Sequence, residues 1–202
     1  MSGSIQRFQP VVRAAREAGL PVRGYVSTAF WCAFEGRISP RAVLSVVELL
    51  NDIGIDEMAI SDTIGKASPD EVRQLLDLLL PRIPADRIAV HFHDTYGRGV
   101  ANTLAAWSYG VRTVDASAGG LGGCPYAPGA TGNVSTQDVV DALEAQSVDT
   151  GVEIEQLDRA FHLLDRYRVD DRRTLPLDGS PACTACEFFT GEICCGKYAT
   201  GG

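Results

Sequence analysis

The 202-residue sequence lacks any apolar run of membrane-spanning length, and no charged start followed by an apolar stretch opens it. We therefore expect a cytoplasmic protein with no membrane partner. Basic residues are also in the minority, with 18 Lys and Arg against 26 Asp and Glu, and they form no cluster that could follow a phosphate backbone. Nucleic acid is thus not an expected partner.

Cysteine is scarce along most of the chain. Cys32 and Cys124 stand alone, and the other four of the six cysteines crowd the C-terminal end, at Cys183, Cys186, Cys194 and Cys195. A disulfide framework would spread cysteines along the chain, so a reducing compartment is favoured. The C-terminal four could chelate zinc, but adjacent cysteines without a nearby histidine are not typical of a zinc ribbon or finger. We expect residues 174–202 to form a loosely ordered Cys-rich tail.

What the sequence has is a repeated strand-helix pattern, in a chain hydrophobic enough, at 45%, to bury a sizeable core. A helix over residues 4–18 precedes it. The predicted strands cover residues 22–27, 58–61, 88–92 and 111–117. Each is followed by a helical pattern, and Ser39, Ser68 and Ser135 are placed to cap three of these helices. Such units predict an α/β fold with a parallel sheet and right-handed crossovers, which binds ligands at the carboxyl ends of its strands.

The stretch His91-Phe92-His93-Asp94-Thr95-Tyr96-Gly97 carries the strongest chemical signal. Side chains alternate along a strand, so His91 and His93 point to one side and Phe92 to the other. Two imidazoles on one side can bind one metal ion, and added carboxylate or amide oxygens favour Mg or Mn. The alternative interpretation is a pair of core histidines satisfied by neighbouring groups.

Asp62 ends another predicted strand, in the segment SDTIG. The sequence leaves two roles open for it. The carboxylate could act at a site on the rim formed by the strand ends, or it could hold a turn or cap a helix.

A glycine-rich loop covers Gly119 to Asn133 and contains six Gly and two Pro. This composition suits a lid over a site. Cys124, in the middle of the loop, is either an acid, base or nucleophile or a small buried hydrophobic residue. Asn133 could turn its amide oxygen to a metal, although taken alone it is better explained as a cap of the following helix.

From about Ser4 to Leu157 these motifs resemble the 3-hydroxy-3-methylglutaryl-CoA lyases, which belong to the metal-dependent TIM-barrel group of lyases and Claisen-condensing enzymes. The resemblance is carried by VRGYVS at 22–27, EGRISP at 35–40, SDTIG at 61–65, HFHDTYG at 91–97 and GLGGCPYAPGATGN at 120–133. The last motif is highly specific. Synthases of isopropylmalate and homocitrate share the two-histidine strand but usually continue it with Asn-Asp and lack the loop.

The resemblance implies a role for five residues. His91 and His93 would be metal ligands on barrel strand seven, and Asn133 would be a third protein ligand. Asp62 would be an acidic active-site residue at the end of strand six, and Cys124 would be the lid cysteine implicated in proton transfer. The implied cofactor is a divalent metal, Mg or Mn.

The family cleaves 3-hydroxy-3-methylglutaryl-CoA to acetoacetate and acetyl-CoA, a reaction of leucine degradation and ketone-body formation. The implied partner is therefore an acyl-CoA substrate. The metal would bind the hydroxyl and carboxylate oxygens of the substrate, a base would remove the hydroxyl proton, and an acid would protonate the acetyl-CoA enolate. Cys124 is the candidate acid. The net charge of -8 does not favour anionic CoA, and Arg37, Lys66 and Arg98 are better explained as solvated surface charges than as its ligands.

The resemblance covers only the C-terminal half of the barrel. We expect residues 1–173 to form strands five to eight of an incomplete TIM barrel, without the family's strand-one Arg-Asp pair. Open edges and an uncovered inner face would then call for the missing N-terminal half or for a homo-oligomer. Two alternatives stay open: an acyltransferase like isopropylmalate or homocitrate synthase, and a non-catalytic half barrel.

Overall fold

A four-stranded parallel sheet organises the computed structural model, which describes residues 2–123 and 132–165. The elements in chain order are α1 (Ser2–Glu17), β1 (Arg23–Val26), β2 (Trp31–Cys32), β3 (Gly36–Arg37), α2 (Pro40–Ile53), β4 (Glu57–Asp62), α3 (Pro69–Leu79), β5 (Ile88–Phe92), α4 (Gly99–Ser108), β6 (Thr113–Asp115), α5 (Thr136–Glu144) and α6 (Ile154–Asp165). The strand order in the sheet is β1-β4-β5-β6, with parallel pairing throughout. The predicted parallel α/β fold is confirmed.

Local signals fix most helix boundaries. Ser68 begins α3 with a reciprocal capping box, in which its hydroxyl accepts from the Glu71 amide and the Glu71 carboxylate accepts from the Ser68 amide. Ser39 takes the cap position of α2 without a side-chain bond, and Pro40 follows in the first turn. Gly54 ends α2 in the left-handed region, at φ 88°. α1 continues through Pro10 without a break.

A small antiparallel hairpin, β2 with β3, was not predicted. Trp31 pairs with Arg37 and Cys32 with Gly36. Strands of two residues are too short to produce an alternating pattern in the sequence, so the signal that identified the four longer strands is missing here.

The two sides of the main sheet differ sharply in chemistry. Toward the helices it presents apolar core residues: Val26, Met58, Ile60, Val90 and Phe92. Burying each large apolar side chain stabilises the fold by roughly 1.5–3 kcal/mol. The other side carries polar and ionisable groups, because alternation and register place these residues together: Arg23, Tyr25, Ser61, His91 and Asp115. The helix side thus forms the core, and the other side is free for chemistry.

The chain separates into two units, residues 1–161 and 162–202. Only residues 162–165 of the second unit are described, so the Cys-rich tail at 174–202 lies outside the described residues and its predicted boundary stays a prediction. Within the part of the chain that is described, no helix has the length and apolar character needed to cross a membrane.

Candidate metal and active site

The two histidines project from the end of β5, as their spacing predicts. The centroids of the His91 and His93 rings lie 5.4 Å apart. Phe92, between them, is fully buried in the core on the opposite side of the sheet. Imidazole nitrogens bind zinc at about 2.0–2.1 Å, and rings at this separation can both reach one ion of similar size.

Asn133 lies directly opposite His93. The two residues form an isolated antiparallel bridge, in which the Asp94 amide donates to the Gly132 carbonyl at 3.0 Å and the Val134 amide donates to the Phe92 carbonyl at 3.0 Å. This pattern makes His93 and Asn133 a non-hydrogen-bonded pair, whose side chains stand close together on one side of the strands. The fold thus brings a residue from beyond the glycine-rich loop to the histidine strand.

The interpretation of Asn133 as a helix cap is wrong. Ser135 caps α5 instead, because its hydroxyl accepts from the Asp138 amide. The Asn133 amide nitrogen donates to the Leu121 carbonyl at 2.8 Å, which leaves the amide oxygen turned away from that bond. The side chain is therefore held in one orientation, with its acceptor available.

The polar atoms of this pair fit a divalent cation. His93 Nδ1 and Asn133 Oδ1 are both buried, and neither has a hydrogen-bond partner among the described residues. Leaving such an atom unpaired costs about 1–3 kcal/mol, which a metal bond would offset. Burial, and then the neighbouring His91, lower the pKa of His93 and so favour the neutral imidazole that binds metals.

The ligand set is incomplete within the part of the chain described here. Residues 2–123 and 132–165 contain no group of three or more His, Cys, Asp or Glu side chains placed to hold a metal ion. Two imidazoles and one amide oxygen are therefore what the described residues offer. Such a mixed nitrogen and oxygen set suits Mn or Mg when further oxygen ligands join it.

Asp62 is a fully buried carboxylate at the end of β4. Its Oδ2 accepts from the Ala67 amide at 2.8 Å, whereas Oδ1 has no partner among the described residues. Burial raises the pKa of Asp62 to about 6, against the opposing effect of the Ala67 amide. Asp62 is in register with Phe92, while Ser61 is in register with His91. The Asp62 side chain therefore leaves the strand on the same side of the sheet as Phe92, which is the side that packs against the helices. The bond to Ala67 supports the turn role, and the acid-base role stays a prediction.

The loop held by Asp62 contacts the segment that follows His93. A Cβ on Gly65, whose φ is +70°, would lie 2.8 Å from the Thr95 amide nitrogen and 2.9 Å from the His93 carbonyl oxygen. The Asn102 amide, from α4, donates to the Ala67 carbonyl at 3.0 Å. The ends of β4 and β5 are therefore locked together.

An ionisable network on the His91 side of the sheet was not predicted. Asp115 Oδ1 lies 2.8 Å from an Arg23 nitrogen, and Asp115 Oδ2 accepts from the Tyr25 hydroxyl at 3.0 Å. Asp115 Oδ2 also lies 3.7 Å from His91 Nδ1, and Arg23 pairs with Glu57 as well. Alternation along each strand shows which residues of that strand share a side. It shows which residues of different strands lie together only when the register between the strands is known.

Cys124 lies outside the described residues, which omit 124–131 of the glycine-rich loop. The three cations near the strand ends are described. Arg37 and Arg98 are exposed, and Arg37 pairs with Glu71 at 3.2 Å. Lys66 is half-buried, with its ammonium 4.0 Å from the centroid of the Trp31 ring.

Comparison with known proteins identifies relatives of this chain. The chain is 49% identical over 152 residues to the hydroxymethylglutaryl-CoA lyase of Pseudomonas mevalonii, covering 75% of this chain and 50% of the relative. It is 46% identical over 154 residues to the human mitochondrial hydroxymethylglutaryl-CoA lyase, covering 76% and 47%. A zebrafish (Danio rerio) relative is 46% identical over 151 residues, covering 75% of this chain and 45% of the relative, and is named as cytoplasmic. The relatives thus fall in two compartments, and the cytoplasmic location of this chain stays a prediction.

Solved structures show the same likeness. The HMG-CoA lyase of Brucella melitensis superposes with a TM-score of 0.80 at 43% identity, covering 83% of this chain and 59% of that one. An HMG-CoA lyase from Acinetobacter baumannii, solved with coenzyme A and 3-methylmalate, gives 0.75 at 38% identity, covering 81% and 54%. The chain spans about half the length of the curated relatives it matches. Residues 1–164 match the HMGL-like family model. This chain belongs to the HMGL-like family.

Proposed function

We propose that this chain supplies the C-terminal half of a carbon-carbon lyase that cleaves 3-hydroxy-3-methylglutaryl-CoA to acetoacetate and acetyl-CoA. The observation that carries the proposal is the pairing of His93 with Asn133. Each keeps a buried, unpartnered ligand atom, and His91 is adjacent. The names of relatives at 46–49% identity support this reaction.

In this proposal the strands β1, β4, β5 and β6 are strands five to eight of a TIM barrel. The polar side of the sheet would face the barrel interior, where ionisable groups such as Arg23, His91 and Asp115 lie. The N-terminal half would cover this side and supply the strand-one groups, whereas a second copy of this chain would cover the side without them. Coverage of about half of each relative supports this arrangement.

The proposed cofactor is Mg or Mn, held by His91, His93 and Asn133. When bound, a divalent ion polarises substrate oxygens and stabilises the negative charge that develops on them. Burial favours the neutral, metal-binding imidazole at His93. Asn133 holds its acceptor in place through the bond from its amide nitrogen to Leu121. The chain's own contribution is a set of ligands that the fold holds in place.

The proposed substrate is an acyl-CoA with a hydroxyl group at C3. The Acinetobacter relative, solved with coenzyme A and 3-methylmalate, supports a CoA thioester and a small hydroxy acid as the two chemical features to be recognised. Lys66 and Arg98 lie beyond the ends of β4 and β5, and the Arg98 guanidinium donates to the Lys66 carbonyl at 3.3 Å. Lys66 is the described positive charge closest to Asp62 along the chain.

Two residues would move protons. Asp62 would accept the proton of the substrate hydroxyl, since a carboxylate with a pKa of about 6 is ionised near neutral pH yet basic enough to take a proton. The bond between C2 and C3 then breaks, and its electron pair passes to the acetyl-CoA enolate. The Cys124 thiol would donate a proton to the enolate carbon, and the resulting thiolate would recover one from solvent.

A non-catalytic, metal-binding half barrel is the second candidate. It is favoured by the incomplete ligand set of the described residues, in which no acidic side chain joins the two histidines. The condensing-enzyme alternative lacks such support, because Asp94 follows His93 without the intervening Asn usual in those synthases.

The test is acetyl-CoA release from 3-hydroxy-3-methylglutaryl-CoA by the 202-residue chain with Mg or Mn added. We expect turnover in the wild type and loss in His93→Ala and Cys124→Ala. His162→Ala, the third histidine of the chain, is the matched control and should retain turnover. Metal binding without turnover would reject the lyase for the isolated chain and favour the non-catalytic half barrel.

A further inference from the structure

Asp115 is a carboxylate beside the metal site that no motif of the family resemblance includes. It ends β6, in register with His91 on the neighbouring strand. Its two oxygens have different surroundings. Oδ1 lies 2.8 Å from an Arg23 nitrogen, while Oδ2 lies 3.0 Å from the Tyr25 hydroxyl and 3.7 Å from His91 Nδ1.

We infer that Asp115 is a positioning residue, which orients the His91 ring and keeps the proton of the neutral ring on Nδ1. Nε2 then carries the lone pair and is available to a metal ion. The inference rests on the proposed function in that His91 is taken as a metal ligand. A carboxylate behind a metal-binding histidine is a recurrent arrangement, because it fixes both tautomer and ring orientation.

The surroundings of Asp115 argue for this role over a simple ion pair with Arg23. Arg23 already has Glu57 as a partner, so Asp115 is not needed to neutralise it. The Tyr25 hydroxyl donates to the same oxygen that faces His91 Nδ1, which fixes the direction of that oxygen. The Tyr25 ring also stands edge-on to the His91 ring, with centroids 6.3 Å apart and planes at 82°.

Asp115 Oδ2 faces His91 Nδ1 at 3.7 Å, which exceeds the length of a hydrogen bond. At this distance the carboxylate still favours an N–H on the nitrogen that faces it, because the other tautomer would set a lone pair against the negative charge. No other carboxylate forms an ion pair with His91 in residues 2–123 and 132–165. Asp115 is therefore the described group best placed to select the tautomer.

The first experiment reads the tautomer directly. Long-range ¹H–¹⁵N NMR of the metal-free 202-residue chain at alkaline pH distinguishes the two tautomers of each neutral ring. The chain has only three histidines, so His93→Gln and His162→Gln suffice to assign His91. We expect a proton on Nδ1 of His91 in the wild type and a shift of population toward Nε2 in Asp115→Asn. A wild-type ring protonated on Nε2 would overturn the inference, even if the variant failed to fold.

The second experiment measures Mn²⁺ affinity by electron paramagnetic resonance. Asp115→Asn should bind Mn²⁺ about 10–100-fold more weakly, the usual effect of removing such a group. Glu57→Gln is the matched control: it removes the other carboxylate on Arg23, with the same change in charge, and should stay within about twofold of wild type. Equal losses in both variants would overturn the inference.

The two readouts separate the two proposals. If the wild type binds no Mn²⁺ but its His91 tautomer depends on Asp115, the proposed metal function fails and the positioning role stands. If Mn²⁺ binds normally and the His91 tautomer is the same in the wild type and in Asp115→Asn, the positioning role fails and the metal site stands.

Discussion

Gly65 and Thr95 contact each other so closely that no side chain fits between them. A Cβ on Gly65 would lie 2.8 Å from the Thr95 amide nitrogen, inside the distance that real Cβ atoms keep. Through this contact the loop after β4 rests on the segment after His93. The glycine is required here for two reasons, the close approach and its φ of +70°.

The first prediction tests this contact. Gly65→Ala should displace one loop from the other, lower the free energy of unfolding by about 2–4 kcal/mol, and weaken Mn²⁺ binding. The measurements are chemical denaturation and Mn²⁺ titration. Gly97→Ala is the matched control, because Gly97 has a similar φ of +65° but no atom within 4 Å of the added Cβ. It should cost only the backbone strain, about 1–2 kcal/mol. Equal losses in the two variants would mean that the contact with Thr95 is unimportant.

The second prediction concerns Asp62 and pH. Folding raises its pKa from 3.8 to about 6, so the folded chain binds more protons than the unfolded chain between those values. Stability from this group is therefore present at low pH and is lost as pH rises from about 4 to about 6. Asp62→Asn lacks this loss. Relative to wild type, it should gain up to about 3 kcal/mol across that window and keep the gain at neutral pH.

Denaturation of the metal-free chain at several pH values checks this prediction. His93 has the opposite tendency, because its lowered pKa makes acid destabilising, but it is present in both proteins and cancels in the difference. A difference that does not change between pH 4 and 6 would refute the raised pKa of Asp62. The same variant tests catalysis. If Asp62→Asn lowers turnover but the remaining activity falls with acid at the same pH as in the wild type, Asp62 has only its turn role.

The third prediction concerns Asn133. Asn133→Asp exchanges an amide for a carboxylate, which loses the donor to the Leu121 carbonyl but adds a negative charge toward a bound cation. We expect a lower melting temperature without metal and a larger Mn²⁺-induced rise than in wild type. Differential scanning calorimetry measures both.

Asn102→Asp is the control for Asn133→Asp. Asn102 is also buried, also donates its amide to a carbonyl, that of Ala67, and also has an unpartnered Oδ1 within the described ranges. It should be destabilised without recovery by Mn²⁺. Equal rescue of both variants would show that the ion acts elsewhere than at Asn133.

The fourth prediction addresses the opposite end of the sheet. The Arg87 guanidinium donates to the Asp56 carbonyl at 2.9 Å, the Ile55 carbonyl at 2.6 Å and Asn51 Oδ1 at 3.1 Å. Lysine has no planar fork to replace these three bonds. Arg87→Lys should lower the free energy of unfolding by about 1.5–3 kcal/mol without changing Mn²⁺ affinity.

Arg82→Lys provides the comparison for Arg87→Lys. Arg82 makes one exposed ion pair with Glu48, at 3.9 Å, and its replacement should be nearly neutral. A loss of metal affinity in Arg87→Lys would contradict the separation of a stabilising end from a binding end of the sheet.

Sequence patterns predicted the parts of this molecule that depend on local chain geometry. Alternation placed His91 and His93 together, and the serine at position 68 marked a real helix start. Asn133 was harder, because the expected cap at Ser135 did not by itself exclude a capping role for a second polar residue so close to the same helix start. Asp115 could not be predicted at all, since its relation to His91 depends on the register between two strands.

The two-sided sheet has a consequence for how this protein tolerates sequence change. Apolar burial is concentrated on the helix side, while Arg23, Tyr25, His91 and Asp115 occupy the other. Substitutions among these four can alter ligand preference without opening a cavity in the core. An experimenter seeking new chemistry on this scaffold should therefore randomise these four positions and leave Met58, Ile60, Val90 and Phe92 untouched.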